Sequence, residues 1–310
     1  MTVPIEAVRG AGVQGLQHLA WFYDDVEALA DSLAELVDGE RARGAEVLVS
    51  LPVRLSGPLF RRIDPSRVTS LEVGARYARP IDAMAALWRF TSDAIDRGVP
   101  CVHSIGEIEF TGADSDRAWH HYEAAVGHVL ADVPLVATCL FDVERTPAVV
   151  RACAHVTHRQ VVGVDPGAPA LGELDESWLR PAEIAVPVRR PDLELAEVRA
   201  PALARHAVRA LVPFGRRDLA ERAVLVVSEL VTNALVHASS PAGVRCWVDG
   251  TGLTLQVSDD GPGIADPYAG LRPPSLPERG AGLWLSNLES TALHVAAGRP
   301  HGTVVTARIE

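Results

Sequence analysis

The chain has 310 residues, 48% of them hydrophobic, with 29 basic against 40 acidic residues and a formal net charge of −11. That length leaves room for two domains, each with its own core, and the acidic balance argues against nucleic acid as the main partner. No lysine occurs at all, which rules out a P-loop or Schiff-base lysine and requires any nucleotide site to be of a lysine-independent type.

Through the first half, strand-like runs alternate with amphipathic helical stretches. Strands are predicted over 18–23, 45–52, 70–77, 99–108 and 134–142, and helices over 25–44, 80–98, 115–133 and 146–161. Arg-Gly pairs at 43–44 and 97–98 give two of the helices a stop signal. Alternation of this kind predicts a layered α/β domain on a mostly parallel sheet. Residues 163–192 are rich in Pro, Gly and acids and read as a linker, where limited proteolysis is expected to cut first. The expected layout is therefore a domain over 1–162, a linker over 163–192 and a second domain over 193–310.

Several first-half residues could collect into a metal or redox site: His18, Cys101, His103, Cys139, His155 and His158. None falls in a recognised ligand spacing, and strand-borne Cys and His are usually core residues, so a buried structural role is expected. The helical run Trp119-His120-His121-Tyr122 is expected to divide between surface and core, because adjacent residues diverge around a helix axis. Cys101, Cys139, Cys153 and Cys246 lack paired spacing and suit reduced thiols. With no signal-like N-terminus and no apolar run of spanning length, a cytoplasmic protein without membrane contact is expected.

The second half carries three short blocks in fixed order. Residues 219–238 have apolar positions at helical spacing and no Pro or Gly, which predicts a helix. Glu229 and Asn233 are four apart and share one face of it. An amide oxygen beside a carboxylate suits a hydrated Mg²⁺, the amide as a hard ligand and the carboxylate orienting a water or hydroxyl. Next, 253–260 alternates as a strand and runs into Asp259-Asp260-Gly261-Pro262-Gly263. That turn lets the backbone approach a flat ligand, with a carboxylate at the strand end to accept a hydrogen bond. Gly280 and Gly282 then precede the apolar stretch 283–297, and glycines opening a helix expose N–H groups that can hold phosphate. Arg272 and Arg279 are the candidate cations nearby.

These blocks resemble the N, G1 and G2 boxes of the ATPase fold shared by gyrase, histidine kinases and anti-sigma factor kinases, over about residues 195–310. The resemblance implies ATP and Mg²⁺ as cofactors and an α/β sandwich of the GHKL (histidine-kinase-like) type. It implies that Asn233 holds Mg²⁺, Asp259 reads the adenine amino group, and Gly261 and Gly263 line the adenine pocket. Gly280, Gly282 and Leu283 would belong to a phosphate-covering lid, Thr303 would sit behind the adenine, and Glu229 would be the general base.

The first half resembles the MEDS sensory domain, through His18-Leu-Ala-Trp-Phe-Tyr23, the Asp-rich helix start after it, Gly44-Ala-Glu-Val-Leu-Val49 and Leu140-Phe-Asp142. That family's fold looks like a P-loop ATPase core. The turn Leu51-Pro-Val-Arg-Leu-Ser-Gly57 lacks a Gly-Lys pair, so nucleotide binding is not expected in this half. The combination is similar to actinobacterial anti-sigma regulatory proteins. It implies a regulator of a sigma factor that phosphorylates Ser or Thr of a STAS-type anti-anti-sigma partner; homodimerisation stays open. A binding module that uses ATP without phosphoryl transfer is the alternative. A histidine kinase would need His206 on a helical hairpin that the sequence lacks.

Overall fold

The computed structural model describes residues 15–110, 116–164, 183–274, 281–298 and 300–310. The chain divides into two compact units, Met1–Pro181 and Ala182–Glu310.

The first unit is built from β1 (Gln17–Tyr23), α1 (Val26–Ala42), β2 (Glu46–Ser50), α2 (Val53–Phe60), β3 (Thr69–Ser70), α3 (Val73–Arg76), α4 (Pro80–Asp96), β4 (Val102–Gly106), α5 (Arg117–Val129), β5 (Leu135–Asp142), α6 (Ala148–Thr157) and β6 (Gln160–Gly163). Its strands form one parallel six-stranded sheet in the order β3-β2-β4-β5-β1-β6. The four interior strands are buried almost throughout because crossover helices cover a parallel sheet on both faces. Asp25 starts α1 by accepting from the N–H groups of Glu27 and Ala28 at 2.9 and 3.0 Å. As the Arg-Gly signals predict, α1 and α4 stop just before Gly44 and Gly98.

Three local predictions fail, each where pairing or packing outweighs pattern. Of the strand expected over 70–77 only Ser70 pairs, together with Thr69 before it, and Glu72 turns the chain into α3 by capping Gly74 and Ala75. The helix expected to 161 ends at Thr157, and Gln160–Gly163 pairs with β1 instead. His120, His121 and Tyr122 are all buried, because neighbouring elements enclose more than one face of α5.

At the C-terminal ends of β1, β4 and β5, polar side chains converge. Tyr23 donates to Glu107 Oε1 (2.9 Å), and Arg54 on α2 donates to Tyr23 Oη and to Glu107 Oε2 (2.7 Å), with Asp142 3.7 Å away. Burial pushes the Glu107 carboxyl above its ordinary value, against the pull of Arg54.

The second unit contains β7 (Leu193–Val198), α7 (Pro201–Leu211), α8 (Arg217–Val236), β8 (Ala242–Val248), β9 (Leu253–Asp259), α9 (Ala281–Glu289), β10 (Ala292–Ala297) and β11 (Thr303–Ile309). Its antiparallel sheet runs β10-β11-β9-β8-β7, and α7 and α8 pack Ala204, Val208, Val227 and Val231 onto one face of it. This is a two-layer α/β sandwich. At the edge strand β7 the register shifts between Leu195 and Val198, a bulge in which Glu197 has φ 57°.

The stretch 183–192, expected to be linker, is tied to this sheet at its far end. Arg189 pairs with both oxygens of Asp192 at 2.8 Å and donates to the Val248 carbonyl, so it is not simply a solvated cation. Trp247 Nε1 donates to the Arg189 carbonyl, and Asp192 accepts from Val248 N–H at 2.7 Å. A fragment that starts at residue 183 is therefore expected to melt a few degrees higher than one that starts at 193. Equal melting temperatures would show these contacts to be thermodynamically idle.

Candidate functional site

α8 is a twenty-residue helix whose buried stripe faces the sheet, and Asn233 on it meets the end of β9 and the start of β11. A cleft of about 220 Å³ lies there. Asn233, Asp259, Gly263, Gly282, Leu283 and Thr303, all named from sequence, line it. Gly261 stands at its margin and Glu229 just beyond it; Gly280 lies outside the described residues, as does Arg279.

Asp259 ends β9 directly opposite Thr303 on β11. Its Oδ1 accepts from Gly261 N–H (2.9 Å) and Thr303 N–H (3.2 Å), which fixes the carboxylate plane. Oδ2 has no partner among the described residues and is free to accept from a ligand. Gly302 sits at φ +96°, and a Cβ there would lie 1.9 Å from the Asp259 carbonyl oxygen. Any side chain would push β11 off the strand that carries Asp259.

Gly282, in the first turn of α9, approaches α8 closely. A Cβ on it would lie 3.1 Å from both Glu229 Oε2 and Asn233 Oδ1. A side chain there would need the Glu229 and Asn233 side chains to give by a few tenths of an ångström. The stretch 283–297 is not one helix: α9 stops at Glu289, and 292–297 becomes β10 by pairing with β11. Arg272 is engaged with Asp266 at 2.8 Å. His237 lines the cleft and caps α8, its N–H bonded to the Asn233 carbonyl at 2.8 Å.

The sequence reading missed the apolar walls, Leu230, Val257, Ile264 and Val305. Period-two alternation would have found two of them, since Val257 and Val305 precede and follow Asp259 and Thr303 by two. A flat apolar slot with one oriented carboxylate at its base matches a purine that presents an amino group. The residues of the cleft therefore fit a nucleotide base.

Fold and cleft together define the class. Residues 193–309 match the family model described as a histidine kinase-like ATPase domain, which implies ATP binding. Residues 17–159 match the one described as MEDS, the methanogen/methylotroph, DcmR sensory domain. The chain thus joins a MEDS sensory domain to a histidine-kinase-like ATPase domain. No curated protein matches it. Among the described residues, no helix is long and apolar enough to cross a membrane.

Proposed function

We propose that the chain is a cytoplasmic anti-sigma regulatory factor. It binds ATP with Mg²⁺, controls a sigma factor and phosphorylates Ser or Thr of a STAS-type anti-anti-sigma partner, under the influence of its MEDS domain. The observation that carries this reading is the placement of Glu229 and Asn233 together under Gly282, beside a cleft that Asp259 also lines. ATP supplies the phosphoryl group. Asn233 Oδ1 is the hard ligand for Mg²⁺, Asp259 orients the base, and Glu229 takes the proton from the partner's hydroxyl. The acidic surface suits a basic protein partner such as a sigma factor.

His206 does not support a histidine kinase, because it stands on the eleven-residue α7 with strand β7 before it, not on a helical hairpin.

The test has two arms. Asp259→Asn should remove a charge-assisted hydrogen bond worth about 1.5–3 kcal/mol, so ATP affinity by calorimetry should drop roughly 10- to 100-fold. Unchanged affinity would mean that Asp259 does not read the base. In the second arm, partners recovered from the native host in the presence of ATP are analysed for phosphosites. Phosphoserine or phosphothreonine on a STAS-type protein supports the kinase reading, and an unmodified partner supports binding alone.

A further inference from the structure

The first unit holds a side-chain cluster that the nucleotide site does not use. His18 on β1 and Cys139 on β5 lie on one face of adjacent parallel strands, because Ala20, two residues beyond His18, pairs with Cys139. Glu123 on α5 and His158, just past α6, close over them. His18, Glu123 and His158 are only 3, 4 and 5% exposed. Of the six residues that the sequence offered for a metal site, three meet here. Cys101 lies in the core on the other side of the sheet, His103 faces Glu40, and His155 stacks on Phe22.

Four of the donor–donor distances are close to those of a coordination sphere. Around Glu123 Oε2 stand His18 Nε2 at 3.2 Å, His158 Nε2 at 3.4 Å and Cys139 Sγ at 3.4 Å, while Cys139 Sγ and His18 Nε2 are 3.5 Å apart. All four donor atoms fall within 4.8 Å of one another. Metal–ligand bonds of about 2.0–2.3 Å at tetrahedral angles need donors about 3.3–3.8 Å apart.

The hydrogen bonding points the same way. His158 Nδ1 faces the Ala154 carbonyl at 2.9 Å, which can only accept. Its other neighbour, the Thr157 hydroxyl, gives its proton to the Cys153 carbonyl. In the neutral ring Nδ1 therefore carries the proton, and Nε2 turns its lone pair toward the Glu123 carboxylate. Buried, that Nε2 completes no hydrogen bond. A buried Nε2 that completes no hydrogen bond stands beside a carboxylate oxygen, a second imidazole nitrogen and a thiol that donates to that same oxygen, a donor set that a cation replacing the thiol proton could gather.

We propose that His18 Nε2, Glu123 Oε2, Cys139 Sγ and His158 Nε2 form a four-coordinate site for a borderline-soft divalent transition metal of the Zn²⁺ class. Two imidazoles, a thiolate and a carboxylate select such an ion over Mg²⁺ or Ca²⁺, which take oxygen ligands. Cys139 gives up its thiol proton on binding. The Ala154 carbonyl fixes the His158 tautomer from outside the sphere, as ligating histidines require. The ion would tie β1, β5, α5 and the end of α6 together, independently of the ATP cleft.

Cobalt titration of the metal-stripped full-length chain, without nucleotide, tests the site. One equivalent of Co²⁺ should give the intense visible bands of tetrahedral cobalt and a near-ultraviolet thiolate-to-cobalt band, both erased by Zn²⁺. Cys139→Ser, nearly isosteric, should lose the thiolate band. Glu123→Gln and His158→Gln should weaken Zn²⁺ at least about 10- to 100-fold. Cys101→Ser should change nothing. The proposal is overturned if the folded wild-type chain, verified by circular dichroism, takes up no stoichiometric metal. A pale octahedral spectrum, or a thiolate band that survives Cys139→Ser, overturns it equally.

Discussion

Glu229→Gln is expected to slow phosphoryl transfer to the partner protein by about 10²–10⁴-fold, the usual worth of a positioned general base, while ATP affinity stays close to wild type. Glu229 stands beyond the lining of the cleft, next to Gly282 and one turn from Asn233, so the amide replacement keeps shape and loses only the proton acceptor. Asn233→Ala should do the reverse and weaken binding that depends on Mg²⁺. Single-turnover transfer and calorimetry on the same preparations separate the two effects. Full transfer by Glu229→Gln with a genuine substrate would remove Glu229 from the chemistry.

Arg54→Met should cost the first unit about 3 kcal/mol at neutral pH, since it leaves Glu107 buried without its cation. For a unit of this size that lowers the melting temperature by roughly 6–12 °C. The cost depends on pH in a definite direction. Burial already raises the Glu107 carboxyl, and loss of Arg54 raises it further. Below the unfolded carboxyl value of about 4.3 both states are protonated and the penalty vanishes. It grows as pH rises through the folded value. Calorimetry of the full chain at acidic and neutral pH checks this, and an unshifted transition at neutral pH would mean that Arg54 does not balance a charged Glu107.

The second half was the more legible in sequence because its signals are local. A helix of twenty residues repeats its period often enough to be read, and Asp259 announces itself by the glycines that follow it. The failures came where one part of the chain decides the structure of another. Ala292–Ala297 has a composition suited to a helix, and only its ladder with β11 makes it a strand. The His18, Glu123, Cys139 and His158 group was invisible for the same reason. Its members are far apart in sequence, and no spacing rule describes a set assembled by the register of β1 against β5 and by two helices over them. His18, Cys139 and His158 were noticed as residue types, but Glu123, the one that every other member touches, was not.

The bulge in β7 bears on the behaviour of the protein at high concentration. A flat edge strand offers alternating donors and acceptors on which a second chain can grow. Glu197, turned to positive φ with its carboxylate exposed, interrupts that row and places a charge beside the break. The strand at this boundary of the sheet is thereby a poor template for intermolecular β-growth, a protection built from one residue's backbone angle.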